Sequence, residues 1–118
     1  MPIERRRVSL FEGEVRLAVE SYRRATPEVL PAGPLQQVSI TDVPGGAPAM
    51  TVSVLMRYGS VEQLIEVRLN DDHVLALVVR FCVENNIPLP RTAKKTVVLQ
   101  DGMLTLVFDF DRGSLAPA

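Results

Sequence analysis

The most constraining feature of this sequence is an alternation of apolar and polar residues between positions 50 and 69. Apolar residues occupy every second position on each side of Gly59-Ser60, apart from Gln63. Side chains of a β-strand alternate between the two faces of a sheet, and a two-residue loop that starts with glycine suits a type II′ turn. The segment therefore predicts an antiparallel hairpin with one apolar face.

The turn fixes which residues of this hairpin lie opposite each other. The predicted pairs are Tyr58–Val61, Arg57–Glu62, Leu55–Leu64, Ser53–Glu66 and Thr51–Arg68. Opposite charges then meet at Arg57–Glu62, which supports this register. Leu55 and Leu64 fall on the outer, otherwise polar face, so they are candidate interface residues.

A second hairpin is predicted near the C-terminus. Residues 96–100 and 103–110 flank Asp101-Gly102, the dipeptide favoured in a type I′ turn. This register places Lys94 opposite Asp109, which is a compatible pair of charges.

A first helix is predicted over residues 10–25, with Ser9 and Glu12 as a capping box and Pro27 after its end. The competing interpretation is a pair of strands that turns at Gly13, because residues 15–19 also alternate. The sequence alone does not decide between a helix and a hairpin for residues 10–25.

A second helix is predicted from Asp71 or Asp72 to about Asn85. Its polar residues form only a narrow stripe: His73, Arg80 and Glu84. A surface helix has a broad polar face, so this one must be covered on two sides. The sheet covers one side, and either the first helix or another subunit covers the other.

With a short strand at Val38 and Ile40, the predicted order is α-β-β-β-α-β-β. This order indicates an α+β domain of two layers, with an antiparallel sheet of about five strands and two helices. Residues 9–111 form this single domain, 1–8 a flexible basic arm and 112–118 a frayed tail. No internal repeat is predicted, because the two hairpins differ in length and pattern.

Composition narrows the classes of function. The chain has 118 residues and a formal net charge of -1, which argues against an overall binder of polyanions. One cysteine, Cys82, forms no internal disulfide. The most apolar stretch, 74–83, is too short to span a bilayer, and no signal peptide is visible. These features predict a cytoplasmic protein with no membrane partner.

Two basic clusters are candidate contacts for an anion or a nucleic acid. Arg5–Arg7 is the first, and Arg91, Lys94 and Lys95 form the second. Arginine and lysine bind phosphates, but neither cluster contains the aromatic residues on which bases stack. The alternative interpretation is that both are solvated loops.

His73, Asp109 and Asp111 are the candidates for a carboxylate and histidine site, since these side chains bind metals or transfer protons. The alternatives are a capping neighbour for His73 and a strand end protected from edge pairing for the two aspartates. Cys82 lies on an apolar helix and is predicted to be structural. Nucleotide-binding, hydrolase and zinc-protease motifs are missing, so no catalytic residue, cofactor or metal is predicted.

The leading hypothesis is a non-enzymatic module for protein interaction or assembly that self-associates as a homo-oligomer. The first alternative is a nucleic-acid-binding protein that uses the two basic clusters. The second is a small enzyme or ligand binder with the carboxylate and histidine site.

Overall fold

The computed structural model describes residues 3–90 and 93–111, which form two helices and six strands. Their order is β1 (Ile3–Leu10), α1 (Glu12–Ala25), β2 (Leu35–Thr41), β3 (Ala49–Tyr58), β4 (Val61–Leu69), α2 (Asp71–Glu84), β5 (Lys95–Gln100) and β6 (Met103–Asp111). The predicted α+β class is confirmed. The strands form two antiparallel sheets instead of one sheet of five: sheet A, in the order β1-β6-β5, and sheet B, in the order β2-β3-β4.

The first strand, β1, is the main departure from the prediction. A flexible arm at residues 1–8 is wrong for the described part of that segment, because β1 pairs with β6 from Ile3–Asp111 to Leu10–Leu104. The arginine run at 5–7 conceals the strand, since it puts charges on both faces and interrupts the alternation of apolar residues.

The first helix is α1, so the helical interpretation of residues 10–25 is confirmed and the hairpin is not formed. Its cap differs from the prediction. Ser9 lies in β1, where its hydroxyl is 2.9 Å from the hydroxyl of Thr105. The N-cap is Phe11, whose backbone N–H donates to the Glu14 carboxylate at 2.9 Å.

The second helix, α2, has the predicted extent but begins from a different cap. Asn70, and not Asp71 or Asp72, is the N-cap, and its side-chain oxygen accepts a hydrogen bond of 2.9 Å from the backbone N–H of His73. The helix ends at Glu84 with Asn85 as its C-cap, and Asn86 follows with a φ of 57°. Asparagine tolerates this left-handed conformation, so the predicted exit is confirmed.

Both hairpins have the predicted register, including the pairs Leu55–Leu64 and Arg57–Glu62. In the first turn only Gly59 has a positive φ, of 66°, as a type II′ turn requires. In the second turn Asp101 and Gly102 have φ values of 52° and 76°, as a type I′ turn requires.

The order of elements repeats within the chain. The first half, β1-α1-β2-β3, is followed by a second half, β4-α2-β5-β6. Each helix has 14 residues, and a single residue separates it from the preceding strand: Phe11 in the first half and Asn70 in the second. The prediction that the chain has no internal repeat is therefore wrong.

The repeat extends to the residues of the core at a constant offset in numbering. Equivalent buried or partly buried pairs are Val8 and Val67, Leu10 and Leu69, Val15 and Val74, Val19 and Val78, Tyr22 and Phe81, Leu30 and Leu89, and Val38 and Val97. Strand β3 is equivalent to β6 at a second offset, because the loop at 42–48 is longer than the turn Asp101-Gly102.

Strand registers agree with the same equivalence. Leu10 pairs with Leu104 as Leu69 pairs with Met50, so the first strand of each half is inserted into the sheet of the other half. Surface positions on the equivalent strands and helices can therefore be compared between the two halves. The comparison shows where the same place in the fold carries different chemistry.

A close contact between the loop at 26–34 and β3 yields a test of the fold. Gly33 has a φ of +136°, and a Cβ atom added there would lie 2.6 Å from the carbonyl oxygen of Leu55. We expect Gly33→Ala to lower the free energy of unfolding by about 2 kcal/mol or more, measured by urea titration. The control is Gly13→Ala, in open space on α1, which should raise it by about 0.5–1 kcal/mol. Equal stability of Gly33→Ala and the wild type would contradict this loop placement.

Candidate interaction surface

The end of the β3–β4 hairpin, residues 55–64, extends beyond the core and is called the hairpin arm below. Along the inner face of β3, Val54 is fully buried whereas Tyr58 is 57% exposed. The difference in length between strand and helix explains this rise in exposure along β3. The strand has 10 residues and spans about 34 Å, whereas a helix of 14 residues spans about 21 Å. The helices therefore leave the arm uncovered.

On its outer face the arm carries the predicted leucine pair. Leu55 lies opposite Leu64, which is 52% exposed. The neighbouring pair, Arg57 and Glu62, forms an ion pair of 2.9 Å between exposed side chains. The arm thus presents apolar surface on both faces, since Tyr58 and Val61 are exposed on the inner one.

The equivalent position in sheet A has a different chemistry. Arg5 and Asp109 occupy the places of Leu64 and Leu55, and they form an ion pair of 3.2 Å with side chains 65% and 55% exposed. A solvated ion pair is compatible with the fold at this position. The same position in the fold thus carries a leucine pair in sheet B and an ion pair in sheet A.

The outer face of α2 shows a similar contrast. Its outward residues are Leu75, Ala76, Val79 and Val83, of which Val83 is 64% exposed. The equivalents in α1 are Arg16, Leu17, Glu20 and Arg24. Helix α2 therefore has an apolar outer stripe where α1 is mostly polar.

Of the two alternatives for the second cover of α2, the first helix or another subunit, helix α1 packs against one flank of α2. Arg80 donates from Nε to the Ser21 hydroxyl at 3.2 Å, and that hydroxyl donates to the Glu84 carboxylate. The polar stripe predicted on α2 thus faces α1 in part. The apolar stripe on the outer side of α2 stays accessible in the described chain.

The structure brings some of the basic residues together. Arg5 and Lys94 line a depression of about 220 Å³ on the outer face of sheet A, beside Asp109, and Arg7 lines the adjoining depression. Lys95 pairs with Phe108 on the opposite face, and its ammonium donates to a backbone carbonyl. Arg91 lies outside the described residues. The predicted patch is therefore divided between two faces.

The carboxylate and histidine candidates do not converge. His73 lies on α2, half-buried, with its ring centroid 6.4 Å from that of Tyr22. Asp109 lies on the outer face of sheet A, which points away from the helices, and the Asp111 side chain lies outside the described ones. Within the described residues, groups of three or more potential metal-ligating side chains are not found.

A groove that the sequence does not predict lies where β2 and β5, the free inner edges of the two sheets, come near each other. It has a volume of about 310 Å³ and is apolar apart from Glu12 and Arg16 at the start of α1. Its main lining residues are Leu10, Val15, Val38, Ile40, Leu99 and Leu104. These come from three regions that are distant in the sequence, 10–15, 38–40 and 99–104, so only the tertiary fold reveals the groove.

Comparisons with known proteins return no match: a scan against protein-family models, a search of the curated proteins and a search of the solved structures each find none. In the described part of the chain, no helix is long and apolar enough to cross a membrane.

Burial of Cys82 makes its reactivity testable. The side chain has no exposed surface, and burial raises the pKa of the thiol above its ordinary value. The reactive thiolate is therefore disfavoured. We expect a thiol reagent to label the native protein at least about 1,000-fold more slowly than the urea-unfolded control, because labelling requires unfolding. Similar rates in the two states would contradict a structural role for Cys82.

Proposed function

We propose that this protein is a non-enzymatic interaction module that self-associates through its hairpin arm, in the cytoplasm. The observation that carries the proposal is the exchange of an ion pair for a leucine pair at equivalent positions of the two sheets. Arg5–Asp109 in sheet A is solvated, whereas Leu55–Leu64 in sheet B exposes apolar side chains.

The physical reason is the free energy of apolar surface in water. Burial of such surface contributes about 25 cal/mol for each Å² removed from water. Tyr58, Val61 and Leu64 are each more than half exposed at the end of one hairpin, the first two on its inner face and Leu64 on its outer face. Exposed apolar surface of this kind marks interaction sites, and a twofold dimer is the commonest arrangement that buries it.

The other candidate functions rest on fewer converging groups. Nucleic-acid binding is the second candidate function. Asp109 neutralises Arg5, and the Lys95 side chain points away from the depression that Arg5 and Lys94 line. A carboxylate and histidine site is placed third, because His73 and Asp109 lie on different sides of sheet A.

The internal repeat supplies a substitution that the fold already accommodates. Leu55→Arg combined with Leu64→Asp places an ion pair of the kind found in sheet A on sheet B, with the two charges in the reverse order. We expect the wild type to sediment as a dimer at micromolar concentration and this double variant as a monomer, with a dissociation constant raised at least about 100-fold. Its Tm should change by less than about 5 °C, since one exposed ion pair contributes little to stability.

The matched control acts on the helix. Val83→Arg places the residue of the equivalent position in α1, Arg24, on the apolar stripe of α2, and it should leave the dimer intact. A monomeric wild type over the whole concentration range would contradict self-association. A dimer that only Val83→Arg dissociates would move the interface to α2.

A further inference from the structure

The two outer edges of the sheets, β1 in sheet A and β4 in sheet B, are equivalent strands with opposite chemistry. Edge strands expose unpaired backbone groups, to which another strand can bind. Strand β1 carries Arg5, Arg6 and Arg7 at its exposed end, and two such strands repel each other. The equivalent residues of β4 are Leu64, Ile65 and Glu66, so β4 lacks this block of like charges.

The backbone of β4 directs alternate residues to its free edge. A two-residue turn closes on a hydrogen-bonded pair, here Tyr58 and Val61, and hydrogen-bonded pairs then alternate along the ladder. Residues 61, 63, 65, 67 and 69 accordingly bond to β3. Residues 62, 64, 66 and 68 direct their N–H and C=O groups away from β3, to the free edge.

We propose that β4 pairs antiparallel with β4 of a second copy of this chain and joins the two B sheets into one sheet of six strands. This inference rests on the proposed self-association and specifies how it occurs. In an antiparallel pair of identical strands, the twofold axis passes through one pair of equivalent residues. The choice of that residue fixes every cross-strand contact.

Charge and the length of the paired segment together select the axis at Ile65. Glu62 then lies opposite Arg68 of the second copy, twice in the dimer, and Leu64 lies opposite Glu66. An axis at Leu64 would instead set Glu62 opposite Glu66, and an axis at Glu66 would set that carboxylate opposite itself. Like charges directly opposite each other destabilise a sheet, so both alternatives are disfavoured. An axis at Val67 would also set Glu66 opposite Arg68, but it pairs only residues 65–69, whereas the axis at Ile65 pairs the whole of β4.

The same register explains the leucine pair. With the axis at Ile65, Leu64 and its copy are diagonal neighbours on the outer face, at about 7 Å. Leu55 lies beside Leu64 on β3, so the two copies form a continuous row of four leucines across the interface. Edge pairing thus buries part of the apolar surface on the outer face of the hairpin arm.

Proline at the free edge tests this pairing directly. Glu66→Pro removes an N–H group that is directed to the second copy and leaves the bonds to β3 in place. We expect it to raise the dissociation constant at least about tenfold, since the change occurs twice in the interface. The matched control is Arg7→Pro, the equivalent position on β1, which should dimerise like the wild type. Thermal unfolding of both variants verifies that they fold.

Charge exchange gives the second readout. Arg68→Glu should weaken the dimer, and its combination with Glu62→Arg and Arg57→Glu should restore it, because the charges opposed across the interface and those opposed within each hairpin are again complementary. Dimers that neither Glu66→Pro nor Arg68→Glu weakens would overturn edge pairing and leave self-association standing. A monomeric wild type would overturn both.

Discussion

Exchange of strands between the two halves of the chain is the constraint on which the rest of the structure depends. Strand β1 completes the sheet of β5 and β6, and β4 completes the sheet of β2 and β3. The first strand of each half pairs within the sheet of the other half, so neither half forms a three-stranded sheet by itself. The buried pairs Leu10–Leu104 and Leu69–Met50 join the halves at equivalent places and orient both helices over one common core.

The parts of this fold that are predictable from the sequence are those determined by neighbouring residues. The registers of both hairpins follow from Gly59-Ser60 and Asp101-Gly102, because a two-residue turn fixes every pair that follows it. The pairing of β1 with β6 joins opposite ends of the chain, and such a pairing has no local signal. The arginine run at 5–7 further conceals β1, since its inward position is also charged.

The candidate surface was predictable only in part. Leu55 and Leu64 were identified because an apolar pair on a polar face violates the alternation of the strand. The alternation places Tyr58 and Val61 on the apolar face of the hairpin, but it shows only which way a side chain points and not whether anything covers it. Coverage depends on the difference in length between strands and helices, which becomes clear only when the elements are assembled.

Divergence between two equivalent halves separates the demands of folding from those of function. Core positions such as Val15 and Val74 keep the same residue, because the packing is the same in both halves. The outer edges differ: β1 carries a run of arginines, whereas β4 combines Leu64 and Ile65 with charges of both signs. We interpret this asymmetry as one protected edge and one edge built for association.

Hydrogen–deuterium exchange of single backbone amides, measured at low and high protein concentration, tests this claim most directly. Edge pairing predicts that the amides of Leu64 and Glu66 exchange more slowly as the concentration rises, while those of Arg5 and Arg7 on the equivalent edge do not change. Equal exchange of the Leu64 and Glu66 amides at all concentrations would contradict association through β4.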